Sequence, residues 1–295
     1  MTSDTTAQIV AFITSIWYAA ALVSSRRGLR YSTPTTVTLV SILVQNVSLW
    51  SAVFLSGGIP NVSWIAIALF CVVGLFQMGV RLLAYTGVLK IGASRSSALQ
   101  SINPLIAATI AVTVLQETMT ALIITGTLLV VIGIILVSWK AERELPSFRW
   151  WHLLLPVAAA CLTGMNHPIR RYALSLSNEP LFFSAFMGFV SLIGFVIYMA
   201  VSPQEQRLIW NRKAFWPFLW TGIFETLSIL FIITALSIGR VVVIAPIGAT
   251  YPVWALIGTK LFLRDVEQIN VKTIIGILSV VAGTIAIHLG ISADK

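Results

Sequence analysis

The second half of the chain repeats the residue order of the first. "LKIGASRSSALQSINP" is followed, about 150 residues later, by "LSIGRVVVIAPIGATYP". Gly92 pairs with Gly239, Ala98 with Ala245, Pro104 with Pro252, Glu117 with Asp265, Gly126 with Gly276 and Gly133 with Gly283. The separation grows from 147 (239−92) to 148 (252−104) and 150 (283−133), so the second copy carries small insertions. A repeat of this length fixes the architecture before any single element is assigned.

The solvent of both copies follows from charge. Only 10% of the residues are charged and 58% are hydrophobic, against roughly 25% charged in a soluble globular domain. The chain cannot solvate a surface of its own in water, and lipid is its expected surrounding. Apolar stretches bounded by charge, Gly or Pro predict ten spans, at 8–24, 34–56, 62–86, 95–115, 120–139, 150–170, 180–201, 214–236, 241–262 and 271–289. At roughly 20 residues per membrane helix, they leave no room for a soluble domain. That excludes a membrane-anchored enzyme with a catalytic domain in water, and a nucleic-acid reader in spite of the net charge of +9. The first span follows "MTSDTTAQ", with no basic leader or cleavage site, and is expected to be retained. Cys71 and Cys161 lie in apolar runs and form neither a disulfide framework nor a zinc site.

Tryptophans and basic residues mark the boundaries. Trp64, Trp139, Trp150, Trp151, Trp210 and Trp216 fall at span ends, at headgroup level. Basic residues crowd the connections after spans 1, 3, 5, 7 and 9, whereas Arg170, Arg171, Arg240 and Lys295 are assigned to the other side and Arg81 stays inside a span. The positive-inside rule then puts the crowded side in the cytoplasm and both termini outside.

Five spans per copy is an odd number, so the copies, divided at 1–144 and 145–295, must sit upside down relative to each other. Inverted repeats of this kind build many secondary transporters, with the solute site at the repeat interface near the midplane. The order aromatic-x-x-x-Leu, small-residue run, Pro, acid and Gly-x6-Gly in both halves, with "CLTGMNHPIRRYAL" opening the second, resembles the drug/metabolite transporter superfamily, in the type with two EamA-like domains. The resemblance covers the whole chain. It implies an all-α membrane fold, a ten-helix basket around a cavity lined by spans 1, 3, 4, 6, 8 and 9. It also implies export or exchange of small metabolites in a multi-pass protein, expected in a bacterial cytoplasmic membrane. The helix-1 motif is incomplete: "SIWYAAALVSSRR" lacks the Gly and Asn found at Gly164 and Asn166.

The candidate solute-binding residues are polar groups at depth. Glu225 lies mid-span, where an ionisable group costs about 2.5 kcal/mol or more unless paired or hydrated. With Thr221 and Ser228 it forms a stripe on one helix face. It binds a solute ammonium or a coupling proton, or is a carboxylate locked to a structural partner. Arg81, one turn from Gln77, is its natural partner: the pair clamps the two ends of a zwitterion, or closes on itself in the empty cavity. Gln100 and Asn103 precede Pro104, and Tyr251 precedes Pro252; with Pro246 these prolines are candidate helix breaks that free backbone carbonyls or serve as hinges. Asn166 and His167 add polar contacts, or the histidine is structural. Trp17, Tyr18 and Trp254 form an aromatic wall, or pack. Gly126, Gly133, Gly276 and Gly283 are assigned to close helix packing, and Glu117 and Asp265 to helix ends or repeat topology.

These features favour secondary transport of a small organic metabolite such as an amino acid, driven by the solute gradient, a proton or a counter-solute. A sugar, nucleotide or drug-type cargo is the alternative. There is no phosphate-binding loop for ATP, no cofactor motif, and the histidines at 152, 167 and 288 are scattered, so an enzyme or metal site is disfavoured. A channel would need a continuous polar pathway. One chain is expected to suffice for function, although dimers are compatible with the sequence.

Overall fold

The computed structural model describes residues 3–91, 93–138, 149–201, 208–262 and 271–292. They form the helices α1 (Ser3–Leu29), α2 (Pro34–Leu55), α3 (Trp64–Ile91), α4 (Ala93–Gln100), α5 (Asn103–Thr113), α6 (Ala121–Ser138), α7 (Leu154–Leu176), α8 (Pro180–Val201), α9 (Arg212–Ile238), α10 (Val241–Gly248), α11 (Tyr251–Phe262) and α12 (Val271–Ser292), with a short 3₁₀ turn before α7. No strand occurs among the described residues. The expected boundary at 144/145, Gly92, Trp139 and Asp265 lie outside them.

Ten crossings result because two of them are each made of two short helices. α4 and α10 are both eight residues long, each followed by a two-residue break and then a helix opening on Asn103-Pro104 or Tyr251-Pro252. Pro104 and Pro252 therefore occupy first-turn positions, where the missing N–H costs nothing. Pro246 marks no break. It sits inside α10, because an eight-residue helix has few intrahelical bonds for a proline to remove. The hydroxyls of Ser101 and Thr250 donate to Ala98 O at 2.6 Å and Ile247 O at 2.8 Å, and Asn103 Nδ2 donates to Gln100 O at 2.9 Å. The carbonyl that Pro104 frees is thus satisfied within the chain.

Eight segments are long and apolar enough to cross a membrane: α1, α2, α3, α6, α8, α9, α10 with α11, and α12. α4–α5 is shortened by its break. α7 carries Asn166, His167, Arg170 and Arg171 and is too polar to face lipid all round. Trp64, Trp150, Trp210 and Trp216 are exposed at or beside helix starts, as interfacial anchors should be.

Caps set the other ends. Thr33 accepts from Thr36 N ahead of Pro34 at the start of α2, and Asn211 accepts from Lys213 N at 2.9 Å at the start of α9. Past α2, Gly57 and Gly58 adopt φ of 122° and 88°, values that glycine reaches without strain.

Lipid provides no hydrophobic drive between helices, so close packing and polar contacts hold the bundle. α6 and α12 run against each other on glycine. A Cβ on Gly126 would stand 2.6 Å from Gly283 O, and one on Gly133 2.6 Å from Gly276 O. The reciprocal distances are 2.6 and 2.7 Å, so the contact reads the same from either helix. On the other flank α2 bonds to α8 through side-chain amides. Gln45 Nε2 donates to Ser184 O at 3.1 Å and Asn46 Nδ2 to Gly188 O at 2.9 Å. Between these flanks α1 packs on α9 and α3 on α7, which brings the middle helices of both repeats together.

Candidate functional site

Glu225 stands at the midpoint of α9, thirteen residues from either end, and only 3% of it is exposed. Arg81 of α3, also 3% exposed, donates from Nε to Glu225 Oε1 at 2.8 Å. Its Nη2 donates to Gln45 Oε1 of α2 at 2.9 Å. The pair predicted from sequence closes on itself, and Gln45, which the sequence reading passed over, completes it. A glutamine inside an apolar span carries the same signal that singled out Glu225. Arg81 Nη1 and Glu225 Oε2 are buried without a hydrogen-bond partner among the described residues. Unsatisfied atoms of this kind are expensive at the centre of a bundle and ask for an explanation.

Glu225, though not Arg81, lines a cavity of about 110 Å³. α1 contributes Thr14 and Tyr18, and α7 contributes Thr163, His167 and Arg170. Thr14 and Thr163 are 149 apart, as are Tyr18 and His167, so the first helices of the two repeats present matched positions. Both threonines tie back to their own helix, to Val10 O at 3.0 Å and Ala159 O at 2.8 Å. Gln77 lines the cavity from the middle of α3, and Glu225 and Ser228 from α9. The broken crossings supply Gln100, Asn103, Gly248 and Tyr251. Tyr18 and Tyr251 meet edge to face at 4.7 Å, joining α1 to α11.

Several residues expected at the site do not line this cavity. Thr221 is buried one turn before Glu225 and donates to Pro217 O at 2.8 Å, within its own helix. Trp17 stacks on Phe224 at 5.7 Å, and Trp254 meets Phe12 at 5.3 Å, so both pack against neighbouring rings. Of the expected aromatic wall only Tyr18 lines the cavity, together with Tyr251. Asn166 is 1% exposed, is not among the lining residues, and has both amide atoms without a partner among the described residues.

Arg170 requires the largest correction. It was assigned to a span end at 170, but α7 continues to Leu176 and Arg170 is 4% exposed. Its Nη2 donates to Gln77 Oε1 at 2.8 Å and contacts Met187 Sδ at 3.4 Å, and its Nε has no partner. The sequence held a signal: Thr163, His167 and Arg170 recur at helical spacing on one face. Its neighbour Arg171 behaves as expected of a helix-end residue, donating to Leu236 O at 2.9 Å and Ser237 O at 3.1 Å at the end of α9. Glu117 also does what its loop position predicts. Its two oxygens accept from Val241 N and Val242 N at 3.0 Å each, capping α10 of the other repeat.

A two-copy bundle with broken fourth and ninth crossings and a cavity between the copies is specific enough to compare. The chain matches the EamA-like transporter family twice, over residues 5–139 and 149–289. The chain belongs to the EamA-like transporter family. It is an integral multi-pass membrane protein of the drug/metabolite transporter type, built from two EamA-like repeats. A solved crystal structure superposes on it with a TM-score of 0.79, covering 99% of this chain and 100% of the other at 11% identity. At that identity the likeness concerns the fold alone. No curated protein matches the chain. No group of side chains able to hold a metal ion is found among the described residues of this EamA-like protein.

Proposed function

We propose that this chain is a secondary transporter that exports or exchanges a small organic metabolite of about amino-acid size by alternating access. The reading rests on one observation: a cavity lined from both repeats, with Glu225, the buried partner of Arg81, in its wall and one carboxylate oxygen unpaired among the described residues. Inverted repeats meeting at such a cavity can rock about it and open it to alternate sides. The volume of about 110 Å³ falls well below the roughly 300–1,000 Å³ of sites for drug-sized ligands. It favours a small metabolite over a nucleotide or drug-type cargo. The residues that line the cavity come from a single chain, which supports a monomer as the functional unit. Both termini lie outside, in a bacterial cytoplasmic membrane, with the repeats divided at 144/145.

Counterflow in proteoliposomes tests the reading, with pools of labelled amino acids, sugars and nucleosides as probes. Wild-type protein is expected to exchange members of one pool, and Glu225→Gln to lose that exchange at least tenfold. If Glu225 also carries a coupling proton, uptake driven by a pH gradient disappears in Glu225→Gln, and unchanged pH dependence excludes that role. Absence of counterflow for every pool overturns the transport reading.

A further inference from the structure

We infer that the cavity selects solutes bearing a carboxylate, and that Arg170 is the residue that anchors it. The inference rests on the reading of the cavity as a solute site and names the class of solute. Its basis is the charge at the centre of the bundle. Two guanidiniums, Arg81 and Arg170, are buried there against one carboxylate, Glu225. The ion pair joins Glu225 to Arg81, not to Arg170. Of the chain's other acids, the described ones, Asp4, Glu117 and Glu179, lie at helix ends or in connections. Among the described residues one buried positive charge is left over, and Arg170, which lines the cavity, carries it.

The way the arginines are held sharpens the point. Each donates to the oxygen of a glutamine, Arg81 to Gln45 and Arg170 to Gln77. A glutamine positions a guanidinium as a carboxylate would, but does not cancel its charge. Arg170 is therefore fixed and still cationic. Of its three nitrogens only Nη2 is hydrogen-bonded, and its buried Nε has no partner among the described residues. A planar fork with free donors matches a carboxylate in two-point geometry. His167, one turn earlier on the same face, lines the same cavity with its Nδ1 unpaired. Glu225, which lines the same cavity, suits an ammonium on the same solute.

The test uses the purified full chain in detergent, with thermal stability as the binding readout, because a ligand that binds the folded state raises it. The probes are pooled α-amino acids, the matching amino-acid amides, the matching 2-oxo acids, glucose, choline and inorganic phosphate. Amino acids or 2-oxo acids are expected to stabilise wild type, and amides, glucose and choline are not. Arg170→Gln raises the half-saturating concentration of the active acid at least tenfold. Gln77→Glu does the same by neutralising Arg170 in place, in a side chain of the same size that keeps the bond, so a folding defect in Arg170→Gln cannot hide the result. Equal stabilisation by acids and amides, stabilisation by phosphate without any carboxylate, unchanged affinity in Gln77→Glu, or no stabilisation by any carboxylate each overturns the inference. Carboxylate binding without counterflow of the same solute sustains the anion site and overturns the transport reading instead.

Discussion

Two regions of the molecule treat the internal repeat in opposite ways. Where α6 meets α12, each copy brings the same residue to the same place: Gly126 lies on Gly283 and Gly133 on Gly276, with near-identical spacing in both directions. At the cavity Thr14 matches Thr163, but the positions that follow on the same helices carry different chemistry. Tyr18 on α1 stands where α7 has His167, and Ala21 where α7 has Arg170, each 149 residues apart. Backbone contact has one good solution, and an inverted pair satisfies it twice. A solute has no twofold axis, so a site that grips it needs unlike groups on its two sides.

This contrast is open to attack at several points, the largest effect first. Arg81→Met or Glu225→Leu leaves one buried charge unpaired, and each is expected to cost about 3–5 kcal/mol, read as a loss of thermal stability in detergent. The double substitution should recover most of that loss while counterflow remains absent. A double variant as unstable as the singles would show that the pair is not the unit.

The glycine seam comes next. Alanine at Gly126, Gly133, Gly276 or Gly283 drives a methyl into facing backbone, and overpacking of this kind costs about 1–3 kcal/mol. The four losses should be alike, because the seam is symmetric; one silent position would break the comparison. Transport by the folded fraction should be retained.

Smaller still is Glu117→Ala, which removes the cap on α10. A loss of about 0.5–2 kcal/mol is expected. Glu117→Gln should recover part of it, because an amide offers one acceptor oxygen where the carboxylate has two. No loss in either variant would mean that water replaces the cap.

Much of the fold was legible beforehand because it depends on local quantities. Span positions follow from hydropathy, and the predicted second span, 34–56, differs by one residue from α2. The end of α7 was misjudged because hydropathy falls at Arg170-Arg171 although the helix runs on to Leu176. A charged pair ends an apolar run, but it does not end a helix whose polar face is turned inward. Gln45 was missed for a related reason: its role depends on Arg81, which lies on a different helix. Proline chemistry alone suggests a break at Pro246, whereas its place within the short α10 leaves that helix intact.

The sequence by itself determined that the chain lives in lipid, that it is an inverted repeat of five-crossing units, that glycines pack two of its helices, and that Glu225 and Arg81 are the charges to watch. These are properties of composition, parity and spacing along one strand of chain. Tertiary structure alone decided which face of each helix turns inward, and so which polar residues share a cavity. It placed Arg170 inside, closed Arg81 on Glu225, and sent Trp17, Trp254 and Thr221 into packing. Helical periodicity puts residues on a common face, but the rotation of that face is set by the neighbours against which the helix packs.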